Sequence, residues 1–266
     1  MSKMKLGFIG AGNMAGAILG GVLQKGIYAP EDIIMADPMA GQLDHIKARG
    51  VQVTTDNTAA ARWAELLILA IKPQVYDAVL PGLSGAVSGK YVVSIAPGIT
   101  TEYLRRSLPG ADIIRVMPNT PLLVGMGATA IARPEHCSEA MFETVQHIFA
   151  SAGEIAVIPE SQMDAIIAVS GSSPAFFFRM IDAMVTEAER QGIDPELAMR
   201  MAARTMEGAA NMLLGSGKTA KELTVQVCSP GGTTLAALSA FDERDFEGLI
   251  AEAMNRCTLR SKQLGK

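Results

Sequence analysis

The chain has 266 residues, 49% of them hydrophobic and 19% charged, which excludes a disordered protein and suits one large domain or two small ones. The formal net charge of -4 offers no basic surface for nucleic acid or anionic membrane. Cys137, Cys228 and Cys257 are odd in number and far apart. They form neither a disulfide framework nor a Cys-rich zinc site, and a cytoplasmic location is expected.

The basic start and apolar run at the N-terminus resemble a signal peptide, but Gly7, Gly10, Gly12 and Asn13 break the run. It reads instead as a strand and turn, and no apolar span long enough for a membrane follows. Further strands are predicted at 32–36, 51–53, 66–71, 91–95, 113–116, 128–132 and 154–157. Several are apolar throughout, as parallel strands covered on both faces are. Helical patterns lie between most of them, at 14–25, 39–49 and 101–108 for example. This alternation predicts an α/β fold with a doubly wound, mainly parallel sheet. After Pro159 strand signals vanish, and helices are predicted at 161–169, 174–191, 195–214, 220–227, 233–241 and 246–263. Asp194 before Pro195 is a strong helix start. The boundary is placed near residue 160, giving an α/β domain over 1–159 and an all-helical domain over 160–266. Phe176, Phe177 and Phe178 cannot all face one core, and the methionines of 195–214 spread around their helix. Such helices are buried on every side, which points to a second copy of the chain; the alternative is packing on the first domain.

The first strand runs into Gly10-Ala-Gly12-Asn13-Met14-Ala15, a G-x-G-x-x-A opening a helix. Gly10 permits the tight turn, Gly12 lets the backbone approach a pyrophosphate, and Ala15 lets helix and strand pack closely. With the N–H groups of Asn13 and Met14 and the helix dipole, this is the phosphate end of a dinucleotide site in a Rossmann domain. Asp37 ends the second strand, 25 residues after Gly12. A carboxylate there accepts the ribose 2′-OH and repels a 2′-phosphate; the alternative is a cap for the next helix. Lys47, Arg49 and Asn57 are candidate neighbours of the adenosine end, or solvated surface. Ala70, Lys72 and Pro73 follow the fourth strand and Ala96 the fifth, at the carboxyl edge where ligands bind. Lys72 either lines the cleft or is a solvated loop residue. Pro118 and Pro121 bracket Asn119-Thr120 in a rigid loop at the same edge, with Asn119 a candidate cofactor-binding residue.

In the helical half, Val169-Ser-Gly-Ser-Ser-Pro174 and Cys228-Ser229-Pro-Gly231-Gly232-Thr233-Thr234 each read as a loop into a helix N-terminus. Each is a candidate carboxylate site or a plain cap. Gly217-Lys-Thr219 imitates the end of a P-loop, but Met212 stands where its first glycine belongs. The only histidines are His45, His136 and His147, with His147 expected to be packed. No His–Asp pair is placed to serve an alcohol dehydrogenase. An imine, which needs little help with its proton, suits the chain better.

The segments Gly10–Ala15, Ala70-Ile-Lys-Pro73, Arg115-Val-Met-Pro-Asn-Thr-Pro121, Gly171-Ser-Ser-Pro-Ala175 and Val227-Cys-Ser-Pro-Gly-Gly-Thr-Thr-Leu-Ala-Ala-Leu238 together resemble the pyrroline-5-carboxylate reductases. The resemblance implies reduction of Δ1-pyrroline-5-carboxylate to L-proline with NADPH or NADH, the last step of proline biosynthesis. It implies a helical dimerisation domain, a homodimer and often a decamer of five dimers. It places Ser229, Gly231, Gly232, Thr233 and Thr234 on the substrate, with the Thr234 hydroxyl near the ring nitrogen, and the 117–121 loop beside the nicotinamide. Asp37 departs from the small or hydroxyl residue common there, so the choice of cofactor stays open. The alternatives are another imine or β-hydroxyacid reductase, or a non-catalytic NAD(P)-binding regulator. The absence of Lys between Ser170 and Gly192 counts against the hydroxyacid enzyme. The intact 229–234 loop counts against the regulator.

Overall fold

The computed structural model describes residues 4–134 and 137–265. They form two compact units, one comprising the chain up to Pro174 with the segment from Arg256 onward, the other Ala175–Asn255.

The first unit holds an eight-stranded sheet of order β3-β2-β1-β4-β5-β6-β7-β8. Its strands are β1 Leu6–Ile9, β2 Ile33–Ala36, β3 Gln52–Thr54, β4 Leu66–Leu69, β5 Tyr91–Ser94, β6 Asp112–Met117, β7 Gly127–Ala132 and β8 Gly153–Ile158. The six strands from β3 to β6 are parallel; β7 runs antiparallel to β6, and β8 parallel to β7. A connection of nine residues (118–126) is too short for a crossover, so β7 must return antiparallel.

Every residue of β1, β2 and β4 is buried, because helices cover both faces. Period-two alternation splits them between two cores. Leu6, Phe8, Leu66 and Ile68 pack with the helices α1 Asn13–Gln24 and α6 Glu139–Ala150. Ile9, Leu67 and Leu69 pack with α3 Asn57–Trp63, α4 Tyr76–Leu83 and α5 Thr101–Ser107. The helix predicted at 39–49 is reduced to a 3-10 turn at Ala40–Gln42 and the single turn α2 Asp44–Lys47. Only Leu43, Ile46 and their neighbour Val51 are buried there, and Gly41 adds backbone entropy, so little holds a longer helix.

Residues 160–174 pack with the sheet. The short helix α7 Met163–Ile166 buries Met163 against β7 and offers Asp164 to Arg115 of β6. Arg115 Nη2 donates to Asp164 at 2.9 Å, and Ser261 near the chain's end donates to the same oxygen at 2.8 Å. Arg115 and Ser261 are both buried. Satisfied by two donors, the Asp164 carboxylate ties the last turns of the chain to the sheet. A π turn over Ile167–Gly171 follows α7 and leads into α8 Ser173–Arg190.

The second unit is helical: α8 from Ala175, α9 Pro195–Ser216, α10 Ala220–Gln226, α11 Thr233–Asp242 and the first turns of α12 Phe246–Leu264. Asp194 accepts the N–H of Leu197 at 2.9 Å and caps α9, with Pro195 in the first turn. Gly217, at φ +68°, closes α9, and Thr219 opens α10 in a reciprocal capping box with Glu222. The P-loop mimic is therefore a pair of helix caps. No residue of α9 is buried within the chain, and Phe178, Met201 and Leu214 are exposed. Among the described residues no helix is long and apolar enough to cross a membrane.

Candidate active site

The carboxyl edge of the sheet is built around Gly10. Its φ is +96°, its N–H donates to Ala36 O at 2.7 Å, and a Cβ there would sit 2.5 Å from Ala70 O. Only glycine fits. Gly12 is different: it is extended at φ -75°, and a methyl group on it would meet nothing within 4 Å. It stands at the N-cap of α1, whose first turn has no side-chain cap and no acidic residue. Asn13 is exposed and Met14 half-buried. The first N–H groups of α1 are thus free of side-chain acceptors, beside a surface kept clear of side-chain bulk. This arrangement suits a pyrophosphate.

Asp37 is engaged by the scaffold. Its Oδ2 accepts the Ala11 N–H at 2.9 Å and its Oδ1 the Met39 N–H at 2.9 Å. It does not cap a helix, since the 3-10 turn that follows has Met39 at its cap. It pins the glycine turn to the end of β2 and leaves a negative charge there. Asp56 caps α3 through the N–H groups of Thr58 and Ala59. The next side chain, Asn57, keeps a buried Oδ1 without a partner. An orphaned acceptor at this edge fits a ligand hydroxyl. Arg49 lies elsewhere, lining a cleft with Leu23, Gln24 and Gly26 at the far end of α1. Lys47 and Lys72 are exposed.

Ala70 extends the pairing of β4 with β1 through its N–H to Ile9 O at 2.8 Å, and Pro73 opens a 3-10 turn. Beneath these loops the buried hydroxyl of Tyr76 meets Ser94 Oγ at 2.9 Å. It joins the loop after β4 to the end of β5, just ahead of Ala96, which is buried. Burial pushes the Tyr76 phenol well above the usual tyrosine range. Tyr76 is a buried neutral strut that the sequence reading missed; its only signal is an aromatic residue three positions after Pro73. Asn119 is also buried, and both ends of its amide bond to the protein: Nδ2 donates to Ser170 O at 3.0 Å, and Oδ1 accepts the Ala128 N–H at 2.9 Å.

The two candidate anion segments part ways. Residues 169–174 hold no free helix start, because α7, the π turn and α8 follow one another almost without a break. The Ser170 and Ser173 hydroxyls turn back onto the carbonyls of Ile166 and Val169. In the second unit, by contrast, α11 begins openly. Gly232 is its N-cap without a side-chain cap, and its N–H closes a turn onto Ser229 O at 2.9 Å. Gly231 has φ +67°, and a Cβ on Gly232 would collide with the Ser229 side chain. Ser229 and Thr233 are exposed and Thr234 is half-buried. The ten-residue helix α11 therefore presents N–H groups and hydroxyls suited to a carboxylate.

His45 and His147 are exposed, so His147 is not packed: it lies on the outer face of α6, between the buried Val145 and Phe149. His136 falls outside the described residues. Among the described residues no three His, Cys, Asp or Glu side chains gather as a metal site.

The chain is similar to known proteins over its whole length. Over 265 residues the chain is 37% identical to a pyrroline-5-carboxylate reductase of Synechocystis, covering 99% of each chain. The chain belongs to the pyrroline-5-carboxylate reductase family. The family's dimerisation domain, described as pyrroline-5-carboxylate reductase dimerisation, matches residues 160–264. Residues 5–98 match a family described as NADP oxidoreductase, coenzyme F420-dependent. The reductase structure from Coxiella burnetii superposes with a TM-score of 0.90 at 32% identity, over all of both chains. That from Plasmodium falciparum, solved with NADP bound, gives 0.92 at 27% identity, also over all of both chains. Family membership favours the imine-reductase reading over the hydroxyacid enzyme and the non-catalytic regulator.

Proposed function

We propose that the chain reduces Δ1-pyrroline-5-carboxylate to L-proline with NADPH or NADH, as a cytoplasmic enzyme of proline biosynthesis assembled as a homodimer or a ring of dimers. The observation that carries this reading is the full-length relationship to pyrroline-5-carboxylate reductases.

The residues fit the cofactor: the clear space at Gly12, the uncapped start of α1 and the orphaned Asn57 oxygen suit pyrophosphate and ribose. When bound, the reduced nicotinamide supplies a hydride to the imine carbon, and solvent supplies the nitrogen's proton. The chain's own contribution is position. The start of α11 holds the substrate carboxylate with backbone N–H groups and the Ser229 and Thr233 hydroxyls. Thr234 directs its hydroxyl at the ring nitrogen. Gly10, Gly12, Asn13, Met14, Asp37 and Asn57 serve the nucleotide, as do Ala70, Lys72, Pro73 and Ala96 along the loops after β4 and β5. Orientation, rather than an acid–base pair, provides most of the rate. The exposed apolar side chains of α8 and α9 support assembly with a second copy.

The test is oxidation of NADPH and NADH by purified protein, followed by absorbance, with pyrroline-5-carboxylate and with 3-hydroxy acids. Turnover confined to the cyclic imino acid is expected. Turnover of 3-hydroxy acids alone overturns the reading.

A further inference from the structure

We infer that Asn119 is a positioning residue: its amide replaces the hydrogen bond that Pro174 cannot make, and so locks the 117–121 loop onto the π turn. The importance of that loop to catalysis rests on the function proposed above. In a continuous helix the carbonyl of residue 170 accepts the N–H of residue 174. Residue 174 is proline and has no N–H. The neighbouring helix carbonyls find partners in the chain itself: Ser173 Oγ donates to Val169 O, and the Ser172 N–H makes the π-type bond to Ile167 O at 2.7 Å. The Ser170 carbonyl receives the Asn119 amide at 3.0 Å.

The other end of the same amide accepts the Ala128 N–H at the start of β7. Turning the amide over would set N–H against N–H and oxygen against oxygen, so its orientation is fixed by its partners. Asn119 is 7% exposed. At the contact, a Cβ on Gly171 would come within 2.9 Å of Met117 Cε, so loop and turn lie close. Asn119 thus joins three segments (loop, π turn and β7) through two bonds, and its amide is spent on the scaffold rather than on the nucleotide.

The test uses the full-length protein. In ligand-free Asn119→Ala, backbone amides of 119–128 and 170–175 exchange about tenfold faster or more, as expected when a buried bond worth on the order of a factor of ten is lost. In the same variant kcat falls about tenfold or more while the directly measured NADPH Kd moves less than about threefold. Pro174→Ala restores a backbone N–H opposite Ser170 O; in that background Asn119→Ala costs less than about a third of its usual loss in kcat. Asn119→Asp keeps the acceptor for Ala128 and regains the donor only when protonated, so its kcat recovers as pH falls relative to wild type; it also serves if the alanine variant does not fold. A tenfold weaker NADPH Kd with exchange and kcat unchanged overturns the inference, and so does an equal cost of Asn119→Ala in both backgrounds. Exchange is read without substrate, so failure of the proposed reaction in the wild type is a separate result.

Discussion

Thr234 is the second residue of α11 and half-buried, a position where alanine is a good helix former. Thr234→Ala should therefore leave thermal stability and NADPH affinity near wild type. Loss of one oriented hydrogen bond to a polarised nitrogen costs about 1.5–3 kcal/mol, so kcat/KM should fall about 10- to 100-fold in steady-state assays. Asp37 acts in two ways at once. It holds the Ala11 and Met39 N–H groups, and a carboxylate at the end of the second strand of a dinucleotide fold repels a 2′-phosphate. NADH should consequently be usable by the wild type. Asp37→Ser should raise the NADPH-to-NADH ratio of kcat/KM about 10- to 100-fold, as removing a repulsion of about 1–3 kcal/mol would. It should also lower the melting temperature, because two charge-assisted bonds are lost. The expected shift in cofactor ratio is an argument the sequence already offers, from the place of Asp37 after β2. The two bonds were not legible there, because no spacing rule says that a carboxylate reaches back 26 residues to a glycine turn. Asn57 was legible only as a polar neighbour, since the orphaning of its oxygen depends on Asp56 taking the cap.

The β1–α1 turn should separate fold from ligand binding within three residues. Gly10→Ala sets a Cβ 2.5 Å from a backbone oxygen at a positive φ, and should unfold or strongly destabilise the protein in a thermal melt. Gly12→Ala meets no protein atom in an extended conformation, so the melt should hold. Its NADPH Kd should rise at least about tenfold, because the methyl takes the space the phosphates need. Equal melting losses in both variants would mean that the turn is merely structural. The struts under the neighbouring loops show in alkaline stability. The Tyr76 phenol is held well above its unfolded value near 10 by burial, and burial also pushes Tyr28 up to about 12. The unfolded chain loses these protons first, so stability is full below about pH 10 and falls as pH rises beyond it. Tyr76→Phe should flatten that fall in urea titrations at pH 9 to 11. The strands were legible because their runs are buried on both faces. The π turn was not, because one extra residue in a turn leaves hydrophobic periodicity almost unchanged.

At the scale of the molecule, the second unit leaves a large apolar surface uncovered. Phe178 is 66% exposed, Met201 60% and Leu214 78%. A second copy that covers this surface would reconcile the exposure with helices that read as buried on every side. Phe178→Glu or Met201→Glu should then shift the protein toward monomer in multi-angle light scattering, while single-chain helicity by circular dichroism changes little. The residues proposed for nucleotide and for substrate belong to different compact units of the chain, Gly12 to the first and Thr234 to the second. If an active site draws them from two chains, defects in the two units should complement. Gly12→Ala and Thr234→Ala chains, each weakly active alone, should regain up to about a quarter of wild-type activity when co-expressed, because only mixed dimers carry an intact pair and half of random dimers are mixed. Activity in the mixture equal to the mean of the two parents would assign each site to a single chain. A fully active wild-type monomer at assay concentration would remove the need for a partner altogether.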